Sequence, residues 1–240
     1  MPRLVRLVPL VLVAAALSLA LGLPALAAKG GRKIDAISTA PDFAQYGVTG
    51  IAMLPVVTYD NNTKTEGQLA IFWGQKFKDT GYRWISVATT REMLKSVLGD
   101  SVVRLVREEV LKNVRVDSLR APLLCSKLRV DAVLSLRVDQ WEQLQVLWNQ
   151  AGRPMTSVGL KAALVDSSGR LLWSAAGSET SEGPYHDPST NPISVSSSNL
   201  ENAPVTGQGG PPAYEEVLTK LLGRWAPLFP RAGTSGEPAR

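Results

Sequence analysis

One cysteine and one histidine occur in 240 residues. A lone thiol cannot close an internal disulfide, so a small disulfide-held scaffold is excluded. Two such residues also fall short of a zinc-type ligand set. A serine-histidine-aspartate arrangement would have to rest on His186, in the loop-like stretch Glu182-Gly183-Pro184-Tyr185-His186-Asp187-Pro188. Such a residue is expected to be a solvated loop histidine. Charge of one sign is lacking too. The formal charge is +5, but Arg3 and Arg6 lie in a leader, and without them 24 basic residues face 21 acidic ones. No nucleic-acid partner is expected, because the basic positions Arg104, Arg107 and Lys112 alternate with Glu108 and Glu109 and no aromatic residue interleaves. P-loop, GxGxxG, HExxH and GxSxG patterns are absent. No catalytic, cofactor-binding or metal-ligating residue is therefore assigned from sequence, and no cofactor is expected.

What is present is ordinary globular chemistry with one long apolar run. Hydrophobic residues make up 45% and mean hydropathy is +0.02, which excludes a wholly disordered chain and a polytopic membrane protein. The run from Leu7 to Leu23 follows Arg3 and Arg6 and precedes Pro24-Ala25-Leu26-Ala27. A cationic start, an apolar middle and small residues at the third and last positions before a cut are the parts of a secretory signal. Cleavage is expected after Ala27. An uncleaved anchor is the alternative, since Leu7 to Leu26 is almost long enough to span a bilayer. Gly22 and Pro24 favour cleavage because both break helices. No cysteine stands near the cut, so a lipobox is absent. These features predict a soluble periplasmic protein, with no stable membrane insertion after cleavage. Cys125, in Pro122-Leu123-Leu124-Cys125, is then expected to be a buried small hydrophobe.

The remainder alternates between strand and helix. Residues 28–46 are polar and irregular and read as a flexible linker. Gly47 to Val57 is an apolar first strand ending at Pro55. Leu69, Phe72, Trp73 and Phe77 form a helical stripe closed by Thr80-Gly81. Tyr82 to Val87 reads as a short strand. Thr89 and Glu92 have capping-box spacing ahead of Met93, Leu94, Val97 and Leu98, with Gly99 as a stop. Val102, Leu105, Val106 and Val110 mark another helix, and a further one lies between Asp117 and Leu128. Val130, Ala132, Leu134, Leu136 and Val138 alternate with Asp131, Ser135, Arg137 and Asp139, the mark of a half-buried strand. Val158 to Leu164 alternates back, Asp166-Ser167-Ser168-Gly169 turns, and Leu171-Leu172-Trp173-Ser174 opens a third strand. Residues 181–212 lack apolar periodicity and read as a long flexible loop. Tyr214, Val217, Leu218, Leu221 and Trp225 form a last helix, and 230–240 reads as a disordered tail. The expected fold class is α/β: a mixed sheet with an antiparallel three-stranded meander, packed by amphipathic helices, in one domain spanning 47–229.

The order of these pieces carries a resemblance. Ile51-Ala52-Met53-Leu54-Pro55-Val56, Val130-Asp131-Ala132-Val133-Leu134-Ser135-Leu136 and Asp166-Ser167-Ser168-Gly169-Arg170-Leu171-Leu172-Trp173 follow one another. This is similar to envelope proteins related to curli-secretion lipoproteins, peptidoglycan-synthase activator lipoproteins and the amino-terminal domain of TolB. The missing lipobox is a departure, since many of those proteins are lipid-anchored. The resemblance implies an α/β domain that works by contact with an envelope protein partner or with copies of itself. The alternative is a periplasmic hydrolase acting on an envelope polymer through a carboxylate pair drawn from Asp131, Asp139, Asp166 and Asp187. If the 181–212 loop binds a partner, Tyr185 and Ile193 are its largest apolar groups.

Overall fold

The computed structural model describes residues 35–189 and 209–233. The leader 1–27, residues 190–208 with Ile193, and residues 234–240 lie outside the described residues. The fold is α/β, a seven-stranded mixed sheet packed by helices.

The strands are β1 (Ala36–Thr39), β2 (Gly50–Met53), β3 (Val57–Thr58), β4 (Arg83–Ile85), β5 (Ala132–Leu144), β6 (Met155–Asp166) and β7 (Leu171–Glu182). The helices are α1 (Thr63–Phe77), α2 (Val87–Asn113), α3 (Ala121–Leu128) and α4 (Tyr214–Trp225). Along the sheet the order is β1-β7-β6-β5-β2-β4, with the short β3 pairing β5 beyond the end of β2. β5, β6 and β7 form the antiparallel meander read from sequence. β2 runs parallel to both β4 and β5.

Period-two alternation splits the core into two layers. Ile51, Met53, Leu134, Leu136 and Leu164 face Leu69, Trp73 and Phe77 of α1 and the Val217–Trp225 stripe of α4. Ala52, Leu54, Val133 and Val165 face Leu94, Val106 and Val110 of α2 and Leu124, Cys125 and Leu128 of α3. Trp173 is the hub of the first layer, with ring centroids 6.3 Å from both Trp73 and Trp225 and 4.8 Å from Phe229. Edge-to-face packing of this kind adds to the area that each ring buries.

Several expectations change in three dimensions. The linker 28–46 contains β1, which pairs with β7. Its entry is held by Arg224, which donates to Asp35 at 2.7 Å and to Glu179 at 2.5 Å. β5 is buried on both faces up to Val138 rather than half-buried, because α2 and α3 cover its second face. The two polar residues there are satisfied locally. Ser135 Oγ lies 2.5 Å from the Val114 carbonyl, and Arg137 donates to the Leu111 carbonyl at 2.7 Å and to Asp139 at 2.6 Å. The cap of α2 is Ser86, whose hydroxyl accepts from Thr89 N–H; the Thr89/Glu92 box is not formed because the helix begins three residues earlier than that box requires. Gly99 does interrupt α2, at φ 78° and ψ 165°, and the chain resumes helix to Asn113. Pro122 sits in the first turn of α3, where a missing N–H has no intrahelical partner to lose. At the other end, Phe229 is buried and Ala232 N–H donates to the Thr80 carbonyl at 2.9 Å, so packing extends into the expected tail.

Candidate functional site

Each of the carboxylates considered for chemistry serves a separate structural task. Asp131, opening β5, accepts from the Thr49 N–H, the Thr49 hydroxyl and the Gly50 N–H at 2.7–2.9 Å, tying the start of β2 to β5. Burial pushes its pKa up, but those bonds and the nearby Arg83 charge outweigh it, and the net shift is downward. Asp139, at the β5 bulge, pairs with Arg137 and with Lys161 at 3.0 Å. Burial again opposes, and the two cations again win, lowering its pKa. Asp166 accepts from the N–H groups of Ser168 and Arg170 inside its own turn. Gly169 completes that turn at φ +81° with Ser118 packed so close that any Cβ would overlap it. Asp187 accepts from Ser189, and its pKa is lowered by that bond. Among the described residues no group of three or more His, Cys, Asp or Glu side chains could hold a metal ion.

Cys125 is buried in the α2–α3 layer. Burial, with the charges of Asp166 and Asp131, pushes its thiol up to about 12.

His186 corrects the sequence reading. It is 7% exposed, not solvated. The segment after β7 doubles back along the β5–β6 connection: Gly183 N–H donates to the Pro154 carbonyl at 2.7 Å, and His186 and Gly152 exchange backbone bonds at 2.8 and 3.0 Å. His186 Nε2 sits 2.9 Å from the Trp148 carbonyl, and the two rings meet edge to face at 5.4 Å. A single histidine in a polar segment carried no sequence signal for this burial, because its partners come from a different loop. The strap it anchors leaves Tyr185 57% exposed, with the Arg153 guanidinium 6.0 Å from its ring. At the same end of the sheet, Leu144 at the end of β5 is 55% exposed. The hairpin end therefore presents apolar groups on a platform fixed by backbone bonds. Nearer the core, Trp141 stacks on Tyr214 at 4.4 Å, and the Pro212 carbonyl accepts from Thr156 at 2.5 Å. These contacts keep both flanks of the expected 181–212 loop on the domain.

A second opening lies at the carboxyl ends of β2 and β4. These strands are parallel neighbours, yet the chain leaves β2 for α1 on one face and β4 for α2 on the other. Such a divergence opens a crevice that α/β sheets use for ligands. Here it is a groove of about 680 Å³ running along α1, walled by Met53, Trp73, Trp84, Ile85 and Val87. The Glu66–Arg91 ion pair closes one end, separating the groove from a cavity of about 230 Å³ between Pro55, Leu94 and Val106. The sequence held one sign of it, Gly67 and Gly74 within a helix on the side opposite its apolar stripe.

No family model and no curated protein matches this chain. Solved structures similar to it include a lipoprotein, GNA1162, of Neisseria meningitidis, at 23% identity over 61% of this chain and 88% of that one, with a TM-score of 0.42. A PelC dodecamer from Paraburkholderia phytofirmans is similar at 15% identity over 83% and 99% of the two chains, with a TM-score of 0.42. A hypothetical protein, CT253, of Chlamydia trachomatis is similar at 12% identity over 75% and 96%, with a TM-score of 0.38. Likeness this distant bears on no function. Among the described residues, no helix is long and apolar enough to cross a membrane.

Proposed function

We propose that this chain is an exported, non-enzymatic protein of the cell envelope that works by contact, holding a protein partner at the open end of its β5–β6–β7 hairpin. The observation that carries the reading is that exposed Leu144 and Tyr185 stand at the same end of the sheet, Tyr185 on a strap that backbone bonds hold to the β5–β6 connection. Large apolar groups on a rigid support lose little freedom on binding, which favours a contact surface over a solvated loop. The leader supports export, and the strap explains how a polar segment could serve as a docking element. The alternative hydrolase needs two carboxyls facing one bond. Asp131, Asp139, Asp166 and Asp187 each bind groups of their own, which favours the contact reading.

The test replaces Tyr185 with a photoreactive phenylalanine analogue and irradiates intact cells. A crosslinked adduct is expected, either with an envelope protein or as multiples of this chain, and Leu144→Ser should weaken it without lowering the melting temperature. Exposed Asp100 serves as the control position. Equal adduct yields at positions 185 and 100 would remove the hairpin end as the contact surface. Replacing 190–208 by a short linker should leave the adduct intact, because the bonded strap ends before it.

A further inference from the structure

We propose that the groove between α1 and the β4–α2 junction is a binding site for an amphipathic monoanion, an apolar chain or ring system ending in a carboxylate-type head. The floor of the groove is unusual for a helix of this length. Gly67 and Gly74 both lie on the exposed side of α1, and a Cβ built at either would meet nothing within 4 Å. Glycine inside a helix is destabilising, and these two return no internal close approach in exchange. They leave a smooth strip with Ala70 beside it. Ile71, at the rim, is 60% exposed. Trp84, Ile85 and Met53 form the opposite wall. A volume of about 680 Å³ is of the size that small-molecule pockets take.

The polar groups of the wall set the sign of the ligand. Arg91 and Lys78 are cations, and Glu66 is the one carboxylate, already bonded to Arg91. The Ser86 cap takes the Thr89 N–H, and Ser86, Val87 and Ala88 at the amino terminus of α2 line the same groove, where first-turn N–H groups have no intrahelical acceptor. The first turn of α1 ends there as well, so two helix amino termini add positive potential. A neutral or cationic apolar molecule would leave those donors unmatched. An anionic head beside Arg91 and the α2 amino terminus meets them, while the apolar body lies along the Gly67–Gly74 strip. Glu66 then acts as a competitor for Arg91, which the ligand head displaces in part.

The site is separate from the hairpin end, and its test uses the purified full chain without a protein partner. Decanoate is the probe, followed by quenching of tryptophan fluorescence from Trp73 and Trp84 and by calorimetry. Decanoate should bind saturably, and decanol and decyltrimethylammonium should bind at least about tenfold more weakly. Gly74→Leu fills empty space, so it should keep or raise the melting temperature while abolishing binding. Glu66→Gln should tighten decanoate by freeing Arg91, and Arg91→Gln should weaken it about tenfold. Absence of saturable binding overturns the proposal, as does equal binding of decanol or unchanged binding in Gly74→Leu. Concentration-dependent self-association that Gly74→Leu abolishes would also overturn it, by assigning the groove to a second copy.

Discussion

Asp131 shows how much one side chain can organise. Its carboxylate collects both backbone N–H groups at the start of β2, 81 and 82 positions earlier in the chain, and so sets the register of the parallel β2–β5 pair. Its pKa is lowered in the folded state. A depressed carboxylate stabilises the fold above its unfolded pKa, and that stabilisation is lost as pH falls through the folded value. Asp131→Asn should therefore cost about 1 kcal/mol at neutral pH. The gap between the two proteins should close below about pH 4. Urea melts at several pH values measure this, and a gap that persists in acid would deny Asp131 the role. Cys125 makes the opposite case, a reactive atom kept inert. With its thiol pushed up to about 12 by burial, almost no thiolate exists near neutrality. Native protein should resist iodoacetamide and label fully in denaturant. Cys125→Ser should cost about 1–3 kcal/mol by placing a hydroxyl in the α2–α3 layer. Rapid labelling of the native thiol, or a disulfide-linked dimer on non-reducing gels, would contradict the structural role.

Among the elements, β1 depends most on distant support. Four residues of edge strand are too short to hold themselves, and the burial of β1 is slight. Arg224 compensates by gripping Asp35 with two nitrogens while also reaching Glu179 and the Ser178 carbonyl. Gly177 allows the approach, since any Cβ there would overlap the Asp35 carboxylate. Arg224→Ala should release β1 at a cost of about 1 kcal/mol, because the guanidinium is partly solvated. Hydrogen exchange at Ile37 and Ser38 should accelerate while the amides of β6 keep their protection. Unchanged exchange at β1 would mean that the β7 ladder alone retains it. The long elements behave differently. α1 and α4 bury most of their sequence stripes, with Phe72 and Tyr214 only partly covered, and the alternate residues of β5 and β6 divide between the two core layers, because each element presents its apolar residues within a few consecutive turns or pleats. The capping of α2 was misread because Ser86 and Thr89 are both acceptable caps. The structure takes Ser86, which directly follows β4, as the cap.

At the scale of the molecule, the parallel pairing of β2 with two neighbours is the decisive feature. It sends α1 to one face and α2 with α3 to the other, so both faces of β5 are covered and the groove opens where the connections part. The antiparallel half of the sheet continues past the helices and carries the hairpin end outward. Two candidate surfaces thus sit on different parts of one sheet, one made by the switch in topology and one by strand length.

The amino-acid sequence by itself determined the leader-like start, the single thiol among apolar neighbours, the three meander strands and the stripes of α1 and α4. Each of these is written within about a dozen consecutive residues, where side-chain period and turn chemistry suffice. Only the tertiary structure decided that residues 36–39 join the sheet, that Ser135, Arg137 and His186 are buried, and that Gly67 and Gly74 floor a groove. Those outcomes rest on contacts between groups far apart in the chain, such as Arg224 with Asp35 across 189 positions, and a local pattern holds no record of which distant partner will arrive.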